Sequence, residues 1–121
     1  MFASRSFLDH GVKVAAHSDH PCAPLPPLMA IQGLATRKTK AGNNFGISQK
    51  ISVLEALRLY TINAAYHSFD ENTLGSIEVG KLADMVILGE DILTADSEKI
   101  IDISIEMTII EGKIVFEKPS K

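Results

Sequence analysis

The densest group of reactive side chains in this sequence is His17-Ser18-Asp19-His20, two imidazoles and a carboxylate in one short run. Such groups can take up and release protons near neutral pH, and each can ligate a cation. In an extended backbone the side chains alternate, so His17 and Asp19 project to one side and Ser18 and His20 to the other. One acid and one imidazole then face a common space, provided the extension persists through Asp19. The plain alternative for Asp19 is a turn residue whose side chain caps the Ser-Asp-x-Pro corner. Other reactive groups are scattered. His10 and His67 lie near the ends of expected helices, where imidazoles meet terminal carbonyls or solvent. Cys22 would need a base beside it to act as a nucleophile, and none is indicated. Arg37 reads as a solvated cation at a helix end. Lys81 and Asp84 read as structural: Gly80 permits a turn, and Asp84 hydrogen-bonds its own backbone before a strand begins.

The elements that would position these groups can be read from the pattern. Ala3 to His10 looks helical and stops at Gly11. Val12–Ala16 is short, apolar except for Lys13, and bounded by turn residues, which predicts a strand buried on both faces as in a parallel sheet. The acid-bearing run sits at its carboxyl end, where α/β folds place their chemistry. Pro21, Pro24, Pro26 and Pro27 forbid helix and central strand alike up to Pro27. Pro27 itself suits the first turn of a helix running to about Lys38, with Leu28, Ile31, Leu34 and Ala35 on one face. Lys38 to Gly46 is a polar loop. Ser52-Val53-Leu54-Glu55 fits a capping box, and Val53, Leu57, Tyr60 and Ala64 share a face of the helix that follows. Asn63 is expected to cap a further turn, Ala64–Ser68. After a connector the chain turns to β structure: Met85–Leu88, then Ile105–Ile110 and Lys113–Glu117 joined by the hairpin pair Glu111-Gly112. So small a set of strands is marginal alone. The pattern looks incomplete.

Composition narrows the function classes. The chain has 121 residues, 45% of them hydrophobic, enough for one domain with a core. A net charge of −3 without a basic stripe argues against a nucleic-acid partner. No apolar run is long enough to span a bilayer, and the amino-terminal residues lack an apolar signal core, so no membrane partner is expected. The single cysteine excludes an internal disulfide and agrees with a cytoplasmic setting.

Several runs, taken in order, resemble the amidohydrolase superfamily. They are Gly11-Val-x-Val-x-x-His17-Ser18-Asp19-x-Pro21, Pro27-Leu28, Thr36-Arg37, Glu55-Ala56-Leu57-Arg58 and Tyr60-Thr61-Ile62-Asn63-Ala64-Ala65. The run Gly75-Ser76-Ile77-Glu78-Val79-Gly80-Lys81-Leu82-Ala83-Asp84-Met85-Val86-Ile87-Leu88 and the later Thr108-Ile109-Ile110-Glu111-Gly112-Lys113-Ile114-Val115 complete the likeness. The branch it is most similar to is amidohydrolase family 3, the N-substituted formamide deformylase-like group. The resemblance implies an α/β protein: the last βα portion of a metal-dependent (β/α)8 barrel plus carboxyl-terminal strands of an accessory β-sandwich. Residues 1–68 would belong to the barrel and 69–121 to the composite sandwich. It also implies that Asp19 is the catalytic aspartate, binding or facing a divalent metal, most often zinc. In that role Asp19 takes a proton from the attacking water and delivers it to the leaving amine. His17, on the same side, would contact a small-molecule amide substrate.

The departures from the family pattern matter equally. A (β/α)8 barrel takes about 250 residues, and the family's His-x-His pair, bridging lysine or acid, and later histidines have no counterpart here. A catalytic zinc usually needs three protein ligands. The expectation is therefore a carboxyl-terminal fragment, inactive and without metal by itself, that pairs with a missing amino-terminal barrel segment or self-associates. The rival reading is a non-catalytic truncated module that binds itself or a complementary chain. A third would make His17, Asp19 and His20 a small metal site of their own.

Overall fold

The structure, a computed structural model, describes residues 3–119. Helix α1 spans Ser4–Asp9 and ends as its sequence predicts. Gly11 adopts φ +70°, the Gly11 amide donates to the Leu8 carbonyl (3.0 Å), and the Val12 amide donates to that of Phe7 (3.0 Å). This is the Schellman pattern, which satisfies carbonyls that the helix end leaves open. Helix α2, Pro27–Thr36, begins on Pro27 at its first position and ends on Arg37 in the left-handed region, φ +56°. Arg37 is only 6% exposed, which corrects the solvated cation expected there. Its Nε donates to the Gly46 carbonyl (3.2 Å) and its own carbonyl accepts from the Phe45 amide (2.9 Å), so the 38–46 loop closes over it.

Helix α3, Val53–Tyr60, has the full capping box: the Glu55 amide donates to Ser52 Oγ (3.2 Å) and the Ser52 amide donates to Glu55 Oε2 (2.8 Å). Arg5 pairs with Asp9 one turn on in α1 and reaches across to Glu55, each at 2.8 Å. The Ser52 amide, helped by Arg5, holds the Glu55 carboxyl below its ordinary range against a smaller opposing effect of burial. A carboxyl with a lowered folded pKa stabilises above its unfolded pKa and loses that contribution as pH falls through the folded value. Acid titration followed by urea unfolding should therefore show a stability loss that begins as pH falls through the ordinary glutamate range and is complete only below it. In Ser52→Ala the cap is gone at neutral pH, at a cost of about 1 kcal/mol, and the acid-dependent part shrinks.

Ala56 and Leu59 are the fully buried residues of α3. The inward face is thus rotated from the expected Val53-Leu57-Tyr60 stripe, whose members pack at its margin. Helix α4 covers Ile62–His67, with Thr61 and not Asn63 at its N-cap position. The core joins Ile31, Ile51, Ala56 and Leu59 to Ile92, Ile100 and Ile103, so the irregular 90–104 stretch supplies nearly half of it. The amide of Ile101 there donates to Gln32 Oε1 of α2 (2.9 Å).

Strands β1 (Met85–Leu88), β2 (Ile105–Ile110) and β3 (Lys113–Glu117) form an antiparallel sheet in the order β1-β2-β3, at the bounds predicted. Glu111 (φ +50°) and Gly112 (φ +75°) both lie in the left-handed region, as a two-residue type I′ turn requires. Asp84 serves this turn: its Oδ1 accepts from the Glu111 amide (2.8 Å), while the Gly112 amide donates to the Ala83 carbonyl (3.1 Å). The aspartate thus clamps a hairpin 27 residues away, not its own backbone as expected. Lys81 is structural as expected, its Nζ donating to Ser76 Oγ (2.6 Å) and the Leu74 carbonyl (3.3 Å). Apolar residues occupy both faces of the sheet: Val86, Ile87, Ile105, Ile110, Ile114, Val115 and Phe116 are all exposed. Sheets with two apolar faces belong between other layers.

Candidate active site

Residues 12–16, expected as a buried strand, have no strand pairing among the described residues. Val12 and Lys13 are exposed, and Val14 to Ala16 are half-buried. A strand is defined by its paired neighbours, and no other strand of the described residues pairs with this segment. Helices hold it instead. The Ala16 amide donates to the Leu59 carbonyl (3.1 Å) at the end of α3. From α4, Asn63 Nδ2 donates to the Val14 carbonyl (2.9 Å) and His67 Nε2 donates to the Lys13 carbonyl (2.8 Å). Lys13 Nζ sits 3.7 Å from the centre of the Tyr66 ring, a cation–π contact. Asn63 is therefore a positioning residue for the segment, not a helix cap. Its place in Tyr60-Thr61-Ile62-Asn63-Ala64-Ala65 singled it out, but its partner lies 49 residues away and no local rule points there.

Val14 and Ala16 pack on the core. Beyond them His17 is exposed and helps line a cavity of about 210 Å³ with Ser4, Phe7, Ala30, Leu34 and Tyr60. Asp19 is exposed with φ +52°, so regular alternation ends before it and the shared side expected for His17 and Asp19 does not follow from an extended backbone. The corner is closed by main chain: the Cys22 amide donates to the Asp19 carbonyl oxygen (2.7 Å) across a cis His20–Pro21 bond, the form of a type VI turn. The Asp19 carboxylate caps nothing, and no hydrogen bond or ion pair engages it among the described residues. His20 and Cys22 are exposed. His10 meets a helix carbonyl as expected, Nδ1 to Ser6 O at 2.7 Å.

Among the described residues no three of His, Cys, Asp and Glu come together as a metal site, so His17, Asp19 and His20 do not form one by themselves. Asp19 can offer a single ligand. The donor set does not fit a bound metal without groups from elsewhere. No helix among the described residues is long and apolar enough to cross a membrane.

An extended segment ends in an uncommitted carboxylate, is braced from behind by helices, and is followed by a small antiparallel sheet. The chain belongs to the amidohydrolase family: a model of that family, of the family 3 branch, matches residues 1–116. It is similar to the N-substituted formamide deformylase of Arthrobacter pascens, 34% identical over 118 residues, 98% of this chain and 22% of that one. YtcJ of Bacillus subtilis (strain 168) is 33% identical over 120 residues, 97% of this chain and 23% of that protein. Among solved structures, an amidohydrolase from Thermotoga maritima MSB8 matches 92% of this chain and 24% of its own, with TM-score 0.70 and 25% identity. The chain thus spans less than a quarter of the length of these relatives.

Proposed function

We propose that this chain is the carboxyl-terminal part of a metal-dependent amidohydrolase that cleaves non-peptide carbon–nitrogen bonds, of amide or amidine type, in small molecules. Residues 1–68 close the barrel and residues 69–121 supply the last strands of the composite β-sandwich. Asp19 is the proton shuttle: its carboxylate accepts a proton from the attacking water and returns it to the leaving nitrogen. His17, at the mouth of the adjoining cavity, contacts substrate. A divalent metal, zinc by family likeness, polarises the scissile group when bound. Its other ligands come from outside this chain, with Asp19 as one contributor.

What supports this reading above all is the state of Asp19. A carboxylate free of structural duties, held at the end of a segment without strand partners among the described residues, is what a site completed by other residues requires. The isolated chain is accordingly inactive. Fusing it, or co-expressing it, with the preceding three-quarters of a family 3 relative should produce hydrolysis of N-substituted formamides or related amides with zinc supplied. Neither piece alone should do so. A folded, metal-loaded fusion that leaves every such substrate intact contradicts the proposal.

The second reading, a non-catalytic module that associates with itself or a complementary chain, draws on the sheet with two apolar faces. In that case the fusion folds but gains no activity.

A further inference from the structure

One face of α2 belongs neither to the hydrophobic core nor to the hydrolytic site. Met29, Gln32, Gly33 and Thr36 recur at helical spacing and line a cavity of about 610 Å³ together with Pro24 and Ile101. The 38–44 loop adds Lys38, Thr39 and Lys40 to the lining. That loop is held closed: Lys38 bridges to Asn44, and the Thr39 amide donates to the Asn43 carbonyl (2.9 Å). We propose that this cavity binds a small aliphatic carboxylic acid. Gln32, Thr39 and Lys40 hold the carboxylate, and the tail lies along Met29, Gly33 and Ile101.

Three observations favour such a ligand. The first is which polar groups remain unspent. Gln32 Oε1 already accepts from the Ile101 amide (2.9 Å), so its Nε2 donor is the group left to offer. Thr39 Oγ1 accepts from the Asn43 amide (3.2 Å), which leaves its hydroxyl proton to donate. Thr36 Oγ1 is taken up twice, donating to the Gln32 carbonyl (2.8 Å) and accepting from the Lys38 amide (3.3 Å). The second is charge. Glu98, on the cavity wall, is paired with Lys38, whereas Lys40 has no ion-pair partner among the described residues. From His20 to Leu54 the sequence has no acid but carries Arg37, Lys38, Lys40 and Lys50, in a chain of net charge −3. Arg37, at the C-cap of α2, offsets the negative end of the helix dipole. The third is Gly33. Glycine is unfavourable inside a helix, and here no positive φ requires it and a Cβ would meet nothing within 4 Å. Neither backbone nor packing within the chain accounts for the missing side chain, and one placed there would fill the cavity.

Isothermal titration of the whole chain with octanoate should show saturable one-site binding. Acetate, the head without the tail, and 1-octanol, the tail without the charge, should each bind at least about tenfold more weakly. Lys40→Glu should weaken octanoate about tenfold and leave 1-octanol unchanged. Gly33→Leu should abolish octanoate binding. Leucine suits a helix interior better than glycine, so the melting temperature of that variant should not fall, which separates lost binding from lost folding. Lys40 is exposed, and its substitution carries the test by itself if Gly33→Leu unfolds the chain. Absence of saturable octanoate binding overturns the proposal, as does 1-octanol that binds as tightly. Octanoate binding unchanged in either folded variant also overturns it and assigns the acid to the exposed apolar faces of the sheet.

Discussion

Asp19→Asn in the completed enzyme is expected to lower kcat by about 10²–10⁴-fold, the usual contribution of a positioned general acid–base group. Asparagine keeps the size and shape of the side chain but cannot accept a proton from water, so the loss falls on the chemical step. Substrate binding, assigned to His17 and the cavity beside it, should change little, leaving KM near its original value. The substitution is also benign for the fold. Asp19 is exposed, its carboxylate has no structural partner among the described residues, and its φ of +52° is one that asparagine readily adopts. Stability should stay within about 0.5 kcal/mol. Steady-state kinetics with a melting curve on the same preparation checks both halves. Unchanged kcat removes Asp19 from the mechanism, and a large drop in melting temperature returns it to the role of a turn residue.

Gly75→Ala is expected to be the most damaging of the small substitutions outside the site. Gly75 has φ +86°, and a Cβ there would lie 2.7 Å from Ile62 Cα and 2.9 Å from Ala65 Cβ. The first obstacle is helix backbone and cannot swing aside. Left-handed strain costs about 1–2 kcal/mol, and forced overpacking about 1–3 kcal/mol, so the sum is roughly 2–5 kcal/mol. Gly80 in the same motif provides the internal control. It has φ +95° but nothing within 4 Å of its would-be Cβ, so Gly80→Ala should cost only the strain. Urea unfolding of the two variants side by side isolates the steric part. Equal losses would mean that α4 moves away from Gly75 freely.

The local features of the fold were legible in the residues because each has a local cause. Pro27 opens α2, Ser52 and Glu55 form a capping box, Gly11 ends α1, and Glu111-Gly112 turns the hairpin. These depend on a few adjacent residues and their dihedral preferences. Features that join distant segments were not legible. Asn63 looks like a cap by its neighbours, yet it reaches the Val14 carbonyl. Arg37 has the composition of a surface cation, yet a loop folds over it. Asp84 suits a local turn, yet it holds Glu111. The segment Val12–Ala16 is the instructive case. Its composition is that of a doubly buried strand, but burial on two faces needs two sets of neighbours. The described chain provides the helical side alone. The candidate site follows the same division: the Ser-Asp-x-Pro corner identified Asp19 as the residue to examine, while the tertiary arrangement shows that its carboxylate is uncommitted and its backbone left-handed.

We propose that residues 12–16 are a barrel strand whose neighbours lie outside this chain, and amide hydrogen exchange across them is the decisive experiment. In the chain alone, the Val12 and Ala16 amides have main-chain acceptors, Phe7 and Leu59, whereas Lys13 and Ala15 should exchange at nearly unprotected rates. After fusion to the preceding part of a family 3 relative, Lys13 and Ala15 should become as slow as the core amides of α3. Core-level protection of both in the isolated chain would contradict the account, because the strand would then already have its partners.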